Sequence, residues 1–171
     1  MRGRFRNSRK SFQLQVKANS AEEKEAVTTL DTASFGTISY RDEEAIHFPL
    51  GLPGFEEERR FITIDLSSLQ PLIVLQSLNR PDLFFLTLPV EDIDARYDLK
   101  LLEEYRQVIG ARGILPRLVV LAIVSVPETG PPTANLLGPV VIHSAHRLGV
   151  QAIRDDSRYS VAHPLALQGG L

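Results

Sequence analysis

The stretch "RRFITIDLSSLQPLIVLQSLNRPDLFFLTLPV", residues 59–90, decides the fold class. It contains three short runs, "RRFITID" (59–65), "LIVLQS" (72–77) and "LFFLTLPV" (83–90), each rich in β-branched or aromatic residues. Breakers separate them at Gln70-Pro71 and at Asn79-Arg80-Pro81-Asp82. Apolar runs of strand length bounded by such turns predict consecutive β-strands rather than helices.

The same grammar extends outward. Upstream, "TISYR" (37–41) and "AIHF" (45–48) flank Asp42-Glu43-Glu44 and predict a hairpin. Between them and the decisive stretch, Pro49, Gly51, Pro53 and Gly54 predict a tight, rigid corner between two strands, with Glu56, Glu57 and Glu58 shown to water. Downstream, "LVVLAIVSV" (118–126) is a fully apolar strand ended by Pro127 and the Gly130-Pro131-Pro132 turn. "ANLLGPVVIH" (134–143), "GVQAIR" (149–154) and "YSVAHPL" (159–165) complete the series. Residues 97–109 break the pattern: Leu101, Leu102, Tyr105, Val108 and Ile109 share one helical face opposite Glu103, Glu104, Arg106 and Gln107, predicting about three helical turns ended by Gly110. The fold expected over residues 35–165 is all-β, a closed or nearly closed antiparallel β-barrel-like domain capped by one α-helix over its open end. Leu, Ile, Val and Phe at the inward positions predict a filled interior.

Residues 1–34 read differently, as a flexible extension with Phe5, Phe12, Leu14, Val16 and Val27 too sparse to build a core. Ser20 with Glu23 has capping-box spacing for a short helix over Ala21 to Leu30. Residues 166–171 read as a flexible C-terminal tail. No apolar h-region follows the basic start, so no secretory signal is read, and no run is long enough to span a membrane. The chain has no cysteine, which excludes disulfides, thiolate catalysis and cysteine-bound zinc. Residues 1–34 hold seven Lys/Arg and four Asp/Glu (7 − 4 = +3), and residues 35–171 hold twelve and seventeen (12 − 17 = −5). An acidic body repels nucleic-acid phosphates and steers toward basic proteins, so no direct nucleic-acid binding by the body is expected.

Catalytic signals are sparse. His143 and His146 are close in sequence, but a three-residue offset on a strand points them to opposite faces, which disfavours a metal site. His47 reads as the exposed member of its strand, and His163 as an ordinary residue before Pro164. Asp155-Asp156 reads as a solvated turn, Ser77 and Ser125 lack a nucleophile context, and the prolines of "PLGLPG" remove donors that an anion cradle needs. No cofactor, no metal and no catalytic residue is expected, and a free monomer is expected. The alternatives are a small-ligand-binding β-barrel or an unrecognised hydrolase, which predict a polar pocket with perturbed titratable groups. Another is an arginine-rich tail that binds RNA or a membrane surface.

Taken in order, "FPLGLPGFEEERRFITI", "LIVLQS", "LFFLTLPV", "PTANLLGPVVI" and "VQAI" resemble the flagellar assembly factor FliW family over about residues 36–165. Two departures stand out: the basic extension before Phe35, and His143 where the family usually carries an Asn. The resemblance implies a non-catalytic cytoplasmic protein, a flagellin-binding chaperone that also binds the translational regulator CsrA and relieves its repression of flagellin translation. The partner surface expected is the corner Gly54, Phe55, Glu56, Glu57 and Glu58, and secondly Asn135, Leu136 and Leu137, weighed against a reading in which Phe55 and the leucines are core.

Overall fold

Strands form where β-branched and aromatic residues alternate between two apolar surroundings. In chain order they are β1 (Val27–Thr32), β2 (Gly36–Arg41), β3 (Ile46–His47), β4 (Arg60–Asp65), β5 (Ile73–Ser77), β6 (Phe84–Pro89), β7 (Leu118–Ser125), β8 (Thr133–Ala134), β9 (Val140–His143), β10 (Leu148–Gln151) and β11 (His163–Pro164). Two short helices, α1 (Val90–Ile93) and α2 (Glu103–Val108), interrupt them. The computed structural model describes residues 26–111, 118–155 and 158–165.

The neighbours β7-β6-β5-β4-β3-β10-β9 form a ring of seven strands, closed by a β7–β9 ladder with Leu118 opposite His143 and Leu121 opposite Val140. Closure removes the open edges that a flat sheet leaves to aggregation. All described pairs are antiparallel except β3 with β10, where Leu148 lies beside His47.

Period-two alternation sorts the core. Along β9, Val140 and Ile142 join one cluster and Val141 joins another. The first gathers Ile46, Phe48, Phe61, Leu75, Leu121, Val140 and Ile142, with Ile73, Phe85 and Ile123 against it, so six of the ring strands converge there and it fills the barrel. The seventh, β10, contributes Gly149, whose missing side chain admits the Phe48 ring: a Cβ there would lie 2.5 Å from it. Phe48 in turn meets Phe61 edge-to-face at 5.2 Å. Each fully buried phenylalanine contributes roughly 2–3 kcal/mol of transfer free energy. The interior is thus packed with hydrocarbon, as the inward positions predict.

Several expectations need correction. The flexible extension ends earlier than Ser34, because Val27–Thr32 forms β1 in register with β2, its inner residues Leu30 and Thr32 over Ile38 and Gly36. The barrel side anchors this hairpin through Ala33 N–H on Pro81 O at 3.1 Å and through Phe35 edge-on to Phe84 at 4.8 Å. Of the helix suggested over Ala21 to Leu30, Val27 to Leu30 is strand; residues 1–25 and 166–171 lie outside the described residues.

The hairpin predicted between "TISYR" and "AIHF" does not form. Asp42–Glu44 makes a 3-10 turn, its first backbone donor, Arg41 N–H, held by the Glu44 carboxylate at 2.8 Å, and Asp42 pairs with Arg60 of β4. This turn redirects the chain, so β2 pairs with β1 while β3 pairs with β4 and β10.

The single three-turn helix shrinks to the six residues of α2, and α1 is a second helix. Leu99, Leu101, Tyr105, Val108 and Ile109 do gather on one cluster, but that cluster lies outside the barrel over Val141 and Val150 rather than across an open end. The end of the helix is as expected, with Gly110 at φ +68°. "ANLLGPVVIH" splits into β8 and β9, separated by the Gly138-Pro139 turn, and both pieces pair with β7.

Candidate functional site

The corner between β3 and β4 is built from its glycines outward. Gly51 and Gly54 take φ of +68° and +84°, a region that costs other residues about 1–2 kcal/mol. They allow Leu52 and Phe55 to face each other, with Phe55 N–H on Leu52 O at 2.7 Å. Leu52 is buried in the barrel core, and half-buried Phe55 meets Phe85 edge-to-face at 5.2 Å. Rigidity therefore comes from inside the barrel.

Outside, Glu56 Oε1 accepts the Gly54 N–H at 2.8 Å. That bond, with Glu56's own N–H second, holds its carboxyl below the ordinary value of 4.5. Glu56 and Glu57 are exposed, and neither makes an ion pair among the described residues. Glu58 is the correction: it is only 8% exposed, and its Oε2 accepts the Ser77 hydroxyl at 2.8 Å.

The Glu58–Ser77 contact explains the "LQS" triplet. Ser77 Oγ accepts the N–H groups of Asn79 and Arg80 at 3.2 and 3.0 Å, so its one proton needs an acceptor, which Glu58 supplies. Gln76, fully buried, donates Nε2 to Ser77 O at 3.0 Å and Leu83 O at 2.9 Å, tying down the β5–β6 turn. Leu75 fills the barrel.

The second candidate group is structural in its contacts. Leu136 is 1% exposed and packs with Val90, Ala122 and Ala134, so its side chain cannot serve an exposed surface. Asn135 Oδ1 accepts Gly138 N–H at 2.8 Å, holding the turn before β9. Leu137 is half-buried, and its carbonyl accepts Arg154 N–H at 3.0 Å. Sequence reasoning missed Arg154, which is 8% exposed. Its guanidinium lies 4.8 Å from the Tyr159 ring and 5.2 Å from Tyr97, and donates to Asp98 O at 2.6 Å. An isolated arginine at the end of "GVQAIR" gives no signal that two tyrosines from distant segments converge on it.

The histidines also differ from expectation. The chain turns immediately after β9, so His143 and His146 stack at 4.0 Å with planes 7° apart instead of diverging. His143 is buried, His47 is exposed as predicted, and Asp155 is exposed while Asp156 lies outside the described residues. Among the described residues no cluster of three or more His, Asp or Glu has metal-ligand geometry, and no helix is long and apolar enough to cross a membrane.

Among the described residues, a groove of about 390 Å³ opens where β6 ends, its lining made by Ile73, Pro89, Val90, Tyr97, Leu99 and residues 118–121 together with Glu91 and Asp94. Glu44 and Asp82 are held low like Glu56, chiefly by Arg41 N–H and by the Arg80 side chain respectively. None of these three carboxylates lines the groove.

These features define a class: a small, hydrocarbon-filled β-barrel with a rigid acidic corner on its outside. A sequence model of the FliW protein family matches residues 29–165. The chain belongs to the FliW family of flagellar assembly factors. It is 34% identical over 138 residues to the flagellar assembly factor FliW of Caldanaerobacter subterraneus subsp. tengcongensis, covering 80% of this chain and 91% of that one. The Clostridium botulinum (strain Langeland) FliW is 30% identical over 136 residues, covering 80% and 95%. A crystal structure of the flagellar assembly factor FliW superposes with a TM-score of 0.73 at 29% identity, over 80% of this chain and 96% of that one.

Proposed function

We propose that this chain works in the cytoplasm as a non-catalytic flagellin-binding chaperone and as a protein antagonist of the translational regulator CsrA, coupling flagellin level to translation of its messenger. One observation carries the reading most directly: Glu56 and Glu57 stand exposed on a corner fixed by Gly51, Gly54 and the buried Leu52, with no ion-pair partner among the described residues. Exposed carboxylates on a rigid backbone, Glu56 held further by the Gly54 N–H, attract a basic RNA-binding protein at a small cost in ordering and repel the RNA it carries. Flagellin segments that are unfolded before export would order on the barrel exterior when bound.

The test is calorimetry with purified CsrA on the Glu56→Lys/Glu57→Lys variant. Affinity is expected to fall about tenfold or more at low salt, with a smaller difference at high salt because exposed charges are screened. Equal affinity of the variant and the unaltered protein at both salts would take the corner out of the interface. Glu58 stays out of the variant, since reversing a buried carboxylate would report on folding.

A further inference from the structure

Apolar residues alternate between inside and outside where the chain enters the corner. Phe48 and Leu52 are 0% and 1% exposed and belong to the cluster that fills the barrel, whereas Leu50 between them is 54% exposed. A turn enforces the alternation. Gly51 N–H donates to Phe48 O at 3.0 Å, closing four residues with Pro49 second and Leu50 third, and Gly51 takes a φ of +68°. Proline presets the backbone angle that the second position of such a turn needs. With a buried neighbour on each side and a closed turn between them, the Leu50 backbone has little freedom to swing its side chain inward.

Exposed apolar side chains are ordinary on a protein surface and carry nothing singly. Val126 and Val161 are at least as exposed as Leu50. Leu50 differs in its neighbours. A Cβ on Gly51 would stand 2.5 Å from Glu56 O. Leu50 Cα is one step of about 3.8 Å from Gly51 Cα, so Leu50 leaves the backbone within about 8 Å of Glu56. Glu56 and Glu57 are themselves exposed. An apolar side chain on a rigid tip beside charge has the makeup of an interface anchor and its polar rim, in which burial of the anchor supplies affinity and the charges supply orientation.

We propose that Leu50 is the apolar anchor of the corner and seats in an apolar pocket of the partner that basic residues border. This rests on the reading that Glu56 and Glu57 meet a basic protein. The two features together define the pocket's chemistry. A wholly cationic surface would press the leucine against charge, and a wholly apolar one would strip water from two carboxylates without replacing it. A pocket with a cationic rim satisfies both. Burying the exposed half of a leucine is worth roughly fivefold to tenfold in affinity.

Calorimetry of purified CsrA at low and high salt, with Leu50→Ser, Leu50→Met and Glu56→Lys/Glu57→Lys, tests the anchor. Leu50→Ser should weaken binding about fivefold to tenfold at both salts alike, because apolar contact is not screened. It should also make the heat-capacity change of binding less negative. Leu50→Met keeps the apolar volume and should stay within about twofold of the unaltered chain. The urea midpoint of Leu50→Ser should match that of the unaltered chain, since the side chain is exposed. Unchanged binding by Leu50→Ser while the double lysine variant weakens would overturn the anchor and leave the acidic corner standing. A loss confined to low salt, an equal loss in Leu50→Met, or a urea midpoint low enough to explain the loss would overturn it too. A loss in Leu50→Ser with none in the double lysine variant would remove the basic border from the pocket and overturn the proposal as stated. If no variant weakens binding, or the unaltered chain does not bind, the reading of the corner falls and the anchor falls with it.

Discussion

Two glycines in one corner offer a controlled comparison. Gly51 and Gly54 both sit in the left-handed region, at φ +68° and +84°, so replacing either with alanine strains the backbone by about 1–2 kcal/mol. Their surroundings differ. A Cβ on Gly54 meets nothing within 4 Å, whereas one on Gly51 would stand 2.5 Å from Glu56 O, 2.6 Å from its Cα and 2.7 Å from its carbonyl carbon. Ordinary contact begins at 3.4 Å, so the Glu56 backbone must retreat by 3.4 − 2.5 = 0.9 Å. It cannot do so alone, because Glu58 N–H is bonded to Phe55 O, Phe55 is packed on Phe85, and Glu58 is held by Ser77. Overpacking against backbone adds about 1–3 kcal/mol to the strain.

Gly54→Ala should therefore destabilise by about 1–2 kcal/mol and Gly51→Ala by roughly 2–5 kcal/mol. With a urea m-value of about 2 kcal/mol/M, the two midpoints should differ by on the order of 1 M. Equilibrium urea unfolding followed by far-UV circular dichroism reads both. Equal midpoints, or a smaller loss for Gly51→Ala, would show that the corner yields easily and would remove rigidity as the reason its carboxylates are effective.

Three further outcomes follow from contacts already described. Ser77→Ala leaves Glu58 buried without its donor and frees two turn N–H groups, which should cost about 1–3 kcal/mol in the same urea assay. Arg154→Lys keeps the charge but loses the flat guanidinium between Tyr97 and Tyr159, so calorimetry should show a melting temperature lower by roughly 5 °C. Glu56 titrates below 4.5 because Gly54 N–H stabilises its ionised form. Its contribution is therefore complete above the unfolded-state value and disappears as the pH drops through the lower folded value. A carboxyl-carbon NMR titration should give a midpoint under 4.5, and Glu56→Gln should flatten the acid limb of the stability curve.

Strands were legible because their signal is local. "FITID", "IVLQS" and "FFLTLP" each hold enough β-branched or aromatic residues to identify themselves, and the ladder Phe61–Ser77 through Asp65–Ile73 follows from one short turn. Pairing across long separations was not legible. Nothing near Asp42 says that its ionic partner is Arg60, or that β2 pairs with β1 while β3 pairs with β4. The helix expected over residues 97–109 is longer than α2 because periodicity reports which residues face apolar neighbours, not whether the backbone between them is helical; Leu99 and Leu101 reach their cluster from chain outside the helix. At the corner, the glycines were readable from turn chemistry, but the burial of Glu58 depended on a serine nineteen positions away whose lone pairs were already in use.

The corner and the groove are separate places on the barrel, and physics predicts how little a charge change at one is felt at the other. No residue of the corner lines the groove, and β4 alone sets them about 17 Å apart. That exceeds the screening length of about 8 Å at physiological salt. Reversing the groove carboxylates Glu91 and Asp94 should therefore leave the field at Glu56 and Glu57 nearly intact. Glu91→Lys/Asp94→Lys should change CsrA affinity by less than about twofold at that salt. A larger change there, with folding intact, would mean that the acidity of the barrel acts as one continuous surface rather than as two.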